Sequence, residues 1–216
     1  MKNIDLRFYN FMKTLLLITL FPLIVCSQSP NKKVVNVLGK QFILKYDNGK
    51  FQGLTTSSND TIIKREDYFE QVKLIDFNKD GYKDLRIEYI SNTAGDGCLY
   101  LFDKNRKTFR LLKNEDYPNS EFLKGKYFYS YHRSGCADLN WVSDLFKIVN
   151  FSAVKLASIS GNGCGDKFDG IFIYQFHGET KILKRKFPIS KINSYKNYKW
   201  GFIKSYWKEN YSKFIN

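Results

Sequence analysis

From residue 34 onward, apolar and polar residues alternate in short runs broken by turn-forming residues, and a helical period is confined to the last two dozen positions. Alternation with a period of two marks a half-buried β-strand. Residues 34–46 alternate and lead into Asp47-Asn48-Gly49-Lys50, a strong hairpin signal. Residues 61–64 form a short candidate strand. Val72 and Leu74, then Leu85, Ile87 and Tyr89, alternate with polar residues on either side of a polar loop. Residues 98–102 and 108–112, separated by 103–107, read as a further hairpin, and 122–132 is aromatic on alternate residues. The runs 141–149, 151–159, 171–176 and 181–187 complete the set. The expected fold is mainly β, an antiparallel β-sandwich or twisted sheet of about eight to ten strands. In 193–216, Trp200, Ile203, Trp207, Tyr211 and Phe214 recur every three or four residues among lysines, which predicts a C-terminal helix with one apolar stripe.

Composition sharpens this picture. The 216 residues are 43% hydrophobic, enough for a single domain with a real core, and the 15 Tyr and 19 Phe favour pleated surfaces on which rings pack well. Residues 1–27 stand apart: the apolar run LLLITLFPLIV at 15–25 follows Lys13 and is too short to span a bilayer as a helix. It reads as an export signal, with Met12 an alternative start to Met1. Cleavage after Ser27 is one outcome. The other is a lipoprotein signal in which Leu23-Ile24-Val25-Cys26 is the lipobox and Cys26 carries the lipid. Both place a domain of residues 28–216 in the periplasm or elsewhere in the cell envelope.

Export changes how the cysteines read. Cys98, Cys136 and Cys164 each follow a glycine, and an oxidising compartment permits one disulfide. The expected pair is Cys136 with Cys164, and three buried thiols are the alternative. No two cysteines have zinc-ligand spacing.

The stretch 76–84, DFNKDGYKD, is the most specific signal in the chain. Asp76, Asn78, Asp80 and Asp84 occupy positions 1, 3, 5 and 9 of a loop with Gly81 at position 6, and Tyr82 would offer its carbonyl from position 7. Ca²⁺ takes six to eight hard oxygens, and a tight turn delivers alternate side chains inward while position 6 needs backbone angles that glycine adopts without strain. Position 12, where a helix–loop–helix site carries a bidentate Glu, is Ile87, so the loop is expected between two strands. A structural Ca²⁺ is therefore the expected cofactor, and a plain polar connection with an Asp-Gly turn is the alternative.

A second polar cluster, YSYHRSGCADLNWVSD at 129–144, holds Tyr129, Tyr131, His132, Arg133, Ser134 and Gly135. Tyr and Arg beside a rigid turn suit a partner-binding edge. A hydrolase built on His132 with Ser134 or Asp138 is the competing reading, but no nucleophile-elbow glycine pattern accompanies them. The net charge is +14, and losing 1–27 removes three positive and one negative charge to leave +12. Such a surplus attracts polyanions. No nucleic-acid-binding motif is present, so for an exported chain the polyanions are anionic lipid or glycan, with the basic segment 193–216 the candidate contact.

The order of these features carries a resemblance. Asp76, Asn78, Asp80, Gly81, Asp84 and Leu85, then Tyr100, Phe102, Asp103 and Phe109, then Tyr131, Arg133, Ser134 and Gly135 resemble a family of exported bacterial β-proteins. That family is similar to periplasmic inhibitors of invertebrate-type lysozymes and to immunity proteins against lysozyme-like effectors. The resemblance covers roughly residues 65–150. It implies a β-sandwich-like fold, no enzymatic activity, and a loop inserted into the cleft of a lysozyme-like hydrolase.

Overall fold

A computed structural model describes residues 31–64, 66, 69–91, 96–113, 117, 119–165 and 169–215. The export signal, Cys26 and the choice of start lie outside these residues. Among the described residues no helix is long and apolar enough to cross a membrane.

The chain is mainly β and forms three antiparallel sheets followed by a helix. The first sheet is a meander of β1 (Lys32–Val37), β2 (Lys40–Asp47), β3 (Lys50–Thr56) and β4 (Thr61–Lys64). The second is a meander of β5 (Phe69–Ile75), β6 (Asp84–Tyr89), β7 (Gly97–Asp103) and β8 (Thr108–Leu111). The third contains β9 (Glu121–Lys124), β10 (Tyr127–Tyr129), β11 (His132–Arg133), β12 (Trp141–Val149), β13 (Ser152–Asn162), β14 (Gly170–His177) and β15 (Thr180–Phe187). Its order is β15-β14-β13-β12-β10-β9, with β11 also on β12. Helix α1 (Tyr198–Asn210) and a 3₁₀ turn, Tyr211–Phe214, close the chain.

Alternation within the strands stacks these elements in layers. Phe42, Leu44, Phe51 and Leu54 of the first sheet share a core with Leu85, Ile87 and Phe102 of the second. Leu99 and Leu101 project from the opposite face of β7 and pack with Phe128, Phe146 and Ala153 of the third sheet. The other face of that sheet, with Trp141, Leu145, Ile159, Ile171 and Ile173, receives Phe202, Ile203, Trp207 and Phe214 from the C-terminal segment. A main-chain hand-off joins second and third sheets: Lys113 N–H donates to Phe151 O at 2.9 Å and Ala153 N–H donates to Lys113 O at 2.9 Å.

The strands are more numerous than the alternation predicts. Residues 34–46 are two strands, because Leu38 (φ 49°) and Gly39 (φ 73°) make a two-residue turn like the Asn48-Gly49 turn that follows. Residues 122–132 are split by the turn at Gly125 and by the gap between β10 and β11. The helix forms, but its buried stripe is Phe202, Ile203, Tyr206 and Trp207, with Trp200 48% exposed. Trp207 Nε1 donates to Ser143 Oγ at 2.8 Å beneath the helix, which explains why this side chain is fully buried. On β13, Gly161 pairs with Trp141 of β12 and leaves room for its ring: a Cβ there would lie 2.1 Å from it.

Candidate functional site

Two places gather the residues that the sequence singles out. The first is the loop between β5 and β6. Gly81 has φ 91°, the left-handed conformation the loop pattern requires. Asp76 Oδ2 accepts from Gly81 N–H at 3.3 Å, Asn78 Oδ1 from Asp80 N–H at 3.2 Å, and Asp80 Oδ1 from Tyr82 N–H at 2.9 Å. The Asn78 side-chain amide donates to Asp80 Oδ2 at 2.9 Å. Asp84 is fully buried, and its two oxygens accept from Phe77 N–H at 2.9 Å and Phe102 N–H at 2.8 Å. Asp84 thus ties the loop to β7, while Phe77 stacks on Phe128 of the third sheet with ring centroids 4.8 Å apart.

The loop holds three carboxylates, Asp76, Asp80 and Asp84, alongside Lys79 and Lys83. Desolvation pushes the Asp84 carboxyl up to about 6, with the nearby Asp80 charge acting the same way and the Phe102 and Phe77 amides opposing. Asp76 Oδ1 is buried and has no hydrogen-bond partner. An orphaned carboxylate oxygen in an acidic turn is the donor a hard cation would use. Among the described residues no three His, Cys, Asp or Glu side chains form a metal-binding group. The oxygens this loop can offer therefore include the Asn78 amide and the Tyr82 carbonyl, alongside Asp76, Asp80 and the remaining lone pairs of Asp84.

The second place is a cleft of about 460 Å³ between the β10–β11 edge of the third sheet and helix α1. Tyr129, Tyr131, His132 and Arg133 line it, brought together as the sequence cluster suggests, while Ser134 and Gly135 lie on the exposed loop beside it. Tyr129 Oη donates to Glu121 Oε2 at 2.5 Å, and Tyr131 Oη donates to Asp138 Oδ1. Burial first, then the neighbouring carboxylate, pushes both phenols up. Burial works to raise the Asp138 carboxyl too, but the Lys199 and Tyr131 hydrogen bonds and the charges of Lys199 and Arg133 outweigh it and hold the group below the ordinary aspartate range. Lys199 Nζ lies 2.6 Å from Asp138 Oδ2 and donates to Asp138 O at 2.8 Å. The Trp200 ring lies 3.8 Å from the Tyr131 ring, centroid to centroid.

The loop 134–140 leaves the cleft edge in an unusual backbone. Gly135, Cys136, Ala137 and Asp138 all have positive φ, at 107°, 51°, 48° and 75°. Three consecutive non-glycine residues in this region cost energy and persist only where the surroundings hold them. Here the Cys136–Cys164 disulfide, with Cα atoms 6.1 Å apart, holds one point. Lys199 holds Asp138, and Asn140 Oδ1 accepts from Gly163 N–H at 3.0 Å. Leu139, next to Asn140 where the loop closes, stays 55% exposed. It shares a shallow depression of about 320 Å³ with Tyr198 and Trp200. Cys98, outside the disulfide, packs against the core of the first two sheets.

Sequence reasoning missed Glu121, from the neighbouring strand β9, and Lys199, Trp200 and Lys204, which enter the site from the C-terminal helix. Lys199 is 61 residues from Asp138 and carries no local motif. His132 lines the cleft, but Asp138 is engaged by Tyr131 and Lys199, and Ser134 stands outside the lining.

No protein-family model matches the chain, and no curated protein matches it. Among solved structures the chain is similar to a Xanthomonas type IV secretion system related protein, with 17% sequence identity and a TM-score of 0.44 over 73% of this chain and 83% of that one.

Proposed function

We propose that the chain is an exported binding module of the cell envelope, stabilised by Ca²⁺, that inhibits a lysozyme-like hydrolase with the loop 134–140. One observation carries this reading: a strained, exposed loop with an exposed leucine is fixed in advance at Cys136, Asp138 and Asn140. A loop already held in one conformation loses little entropy on binding, which is how inhibitory loops gain affinity. Leu139, Tyr198 and Trp200 supply an exposed apolar anchor, and Arg133 stands beside them at the rim of the cleft. The disulfide supports an oxidising compartment.

Binding is favoured over turnover because Asp138 is committed to holding the loop and Ser134 lies outside the cleft. Ca²⁺ in the β5–β6 loop would take Asp76, Asn78, Asp80, the Tyr82 carbonyl and Asp84, supplying the charge that Asp76 Oδ1 and the desolvated Asp84 lack. Its role is to fix β5 and β6 in register. The test is surface-plasmon binding to an immobilised invertebrate-type lysozyme. The protein binds in the expected outcome, and the paired substitution Cys136→Ser with Cys164→Ser weakens it by faster dissociation. Equal affinity of this variant, or no binding by either, overturns the proposal.

A further inference from the structure

Among the described residues, the cluster that the second sheet shares with the third, on the face opposite helix α1, reaches β9, β10, β12 and the start of β13. Along β14 the inward Ile171 and Ile173 alternate with Phe172, Tyr174 and Phe176, which point the other way. These three rings belong to none of the three apolar clusters formed by the described residues. They form a half-open aromatic row, with Phe172 and Tyr174 stacked at 6.4 Å between centroids.

Both flanks of the row are polar or charged. On β13, Ser160 and Ser158 sit opposite Phe172 and Tyr174. On β15, Lys186, Leu183 and Lys181 sit opposite Phe172, Tyr174 and Phe176. Lys186 lies 5.1 Å from the Phe172 centroid, Lys181 3.8 Å from that of Tyr174, and Lys155 5.2 Å from that of Phe176. The rings thus orient Lys181 and Lys186 beside the row, whereas Lys155 is held by an ion pair to the buried Asp144 at 2.9 Å. Strand 180–187 carries four cationic residues, and Glu179 at the turn before it is the one acidic residue from 170 to 187.

Protection of an edge strand explains lysines on β15. It does not explain an open aromatic row on the inner neighbour, or Leu183 standing 53% exposed between lysines. The geometry points to a second binding surface, for an acidic polysaccharide segment lying along β14 and β15. The C–H faces of its rings would rest on Phe172, Tyr174 and Leu183, its carboxylates would meet Lys181 and Lys186, and a hydroxyl would reach the half-buried Ser160, while Ser158 is buried beneath the row. The lysines are separated by about 15 Å of strand, enough for a short run of linked rings. This surface is distinct from the cleft and the loop 134–140, and from the C-terminal segment, whose stripe is buried on the other face of the sheet.

Isothermal titration with polygalacturonate tests the inference. The protein binds, with affinity falling as salt rises, and Lys181→Gln with Lys186→Gln weakens it about tenfold or more. Lys32→Gln with Lys33→Gln, which removes the same charge from exposed β1, leaves it within about twofold of wild type. Tyr174→Ala weakens binding without changing net charge. Absence of binding by the wild type, equal losses in the two lysine pairs, an unchanged Tyr174→Ala affinity in a folded variant, or tighter binding of a single-stranded oligonucleotide than of polygalacturonate would each overturn it.

Discussion

Replacing Asp138 by Asn tests what holds the loop 134–140. The carboxylate accepts from Tyr131 Oη, pairs with Lys199 Nζ at 2.6 Å, and lies 3.9 Å from Arg133 Nε. A hydrogen bond to a charged partner is worth about 1.5–3 kcal/mol, and the partly buried Lys199 would keep only a neutral acceptor. Since Asn retains the shape and one acceptor oxygen, the expected loss at pH 7 is about 2 kcal/mol. For a chain of this length that is about 4–8 °C in Tm. The sign with pH follows from the lowered carboxyl pKa: the unfolded state binds the proton more readily, so the stabilisation is present above the ordinary aspartate value near 3.9 and is lost as pH falls through the lower folded value. Urea unfolding of wild type and Asp138→Asn at pH 7 and near pH 3 measures both effects. The difference should shrink on acidification. A difference that is absent at pH 7, or equally large at both, refutes the argument that an ionised Asp138 holds the loop.

Four further outcomes follow from the structure. Excess chelator should lower the melting temperature of protein purified with Ca²⁺, and an unchanged melting curve rules the metal out. Asp84→Ala leaves the amides of Phe77 and Phe102 unpartnered in the interior, so it should cost about 2–5 kcal/mol in urea unfolding, and a near-neutral result contradicts the anchoring role. Trp207→Phe orphans Ser143 Oγ and should cost about 1–3 kcal/mol by the same measurement. Gly161→Ala puts a methyl into the Trp141 ring and should lower stability by about 1–3 kcal/mol while blue- or red-shifting the indole fluorescence. An unshifted spectrum with full stability contradicts that packing.

What the sequence showed and what it hid divide by whether a turn residue or a cysteine marks the feature. Marked features were legible: the Asn48-Gly49 turn, the placement of Gly81, the hairpin around 103–107, and the pairing of Cys136 with Cys164 across 28 residues. The breaks at Leu38-Gly39 and around Tyr131 were not, because a leucine at positive φ carries no turn signal and a run of alternating aromatics reads as unbroken strand. The helix stripe turned by one position for a tertiary reason. Phe202 and Tyr206 meet Phe187 from β15, whereas Trp200 leaves the stripe to lie against Tyr131. The cleft could be half read, from Tyr129 to Arg133, since its other wall comes from a helix about seventy residues later. The aromatic row on β14 was hidden in a strand whose two faces look equally apolar until the helix is seen to cover one of them.

The central claim, that a pre-held loop blocks a hydrolase, is tested most directly by titrating the protein into an invertebrate-type lysozyme and following loss of turbidity of a peptidoglycan suspension. Wild type should abolish lysis at stoichiometric excess, and Leu139→Asp, at this exposed loop position, should restore the full rate while melting at the wild-type temperature. Lysis that proceeds undiminished with wild type, or inhibition that survives Leu139→Asp unchanged, contradicts the account.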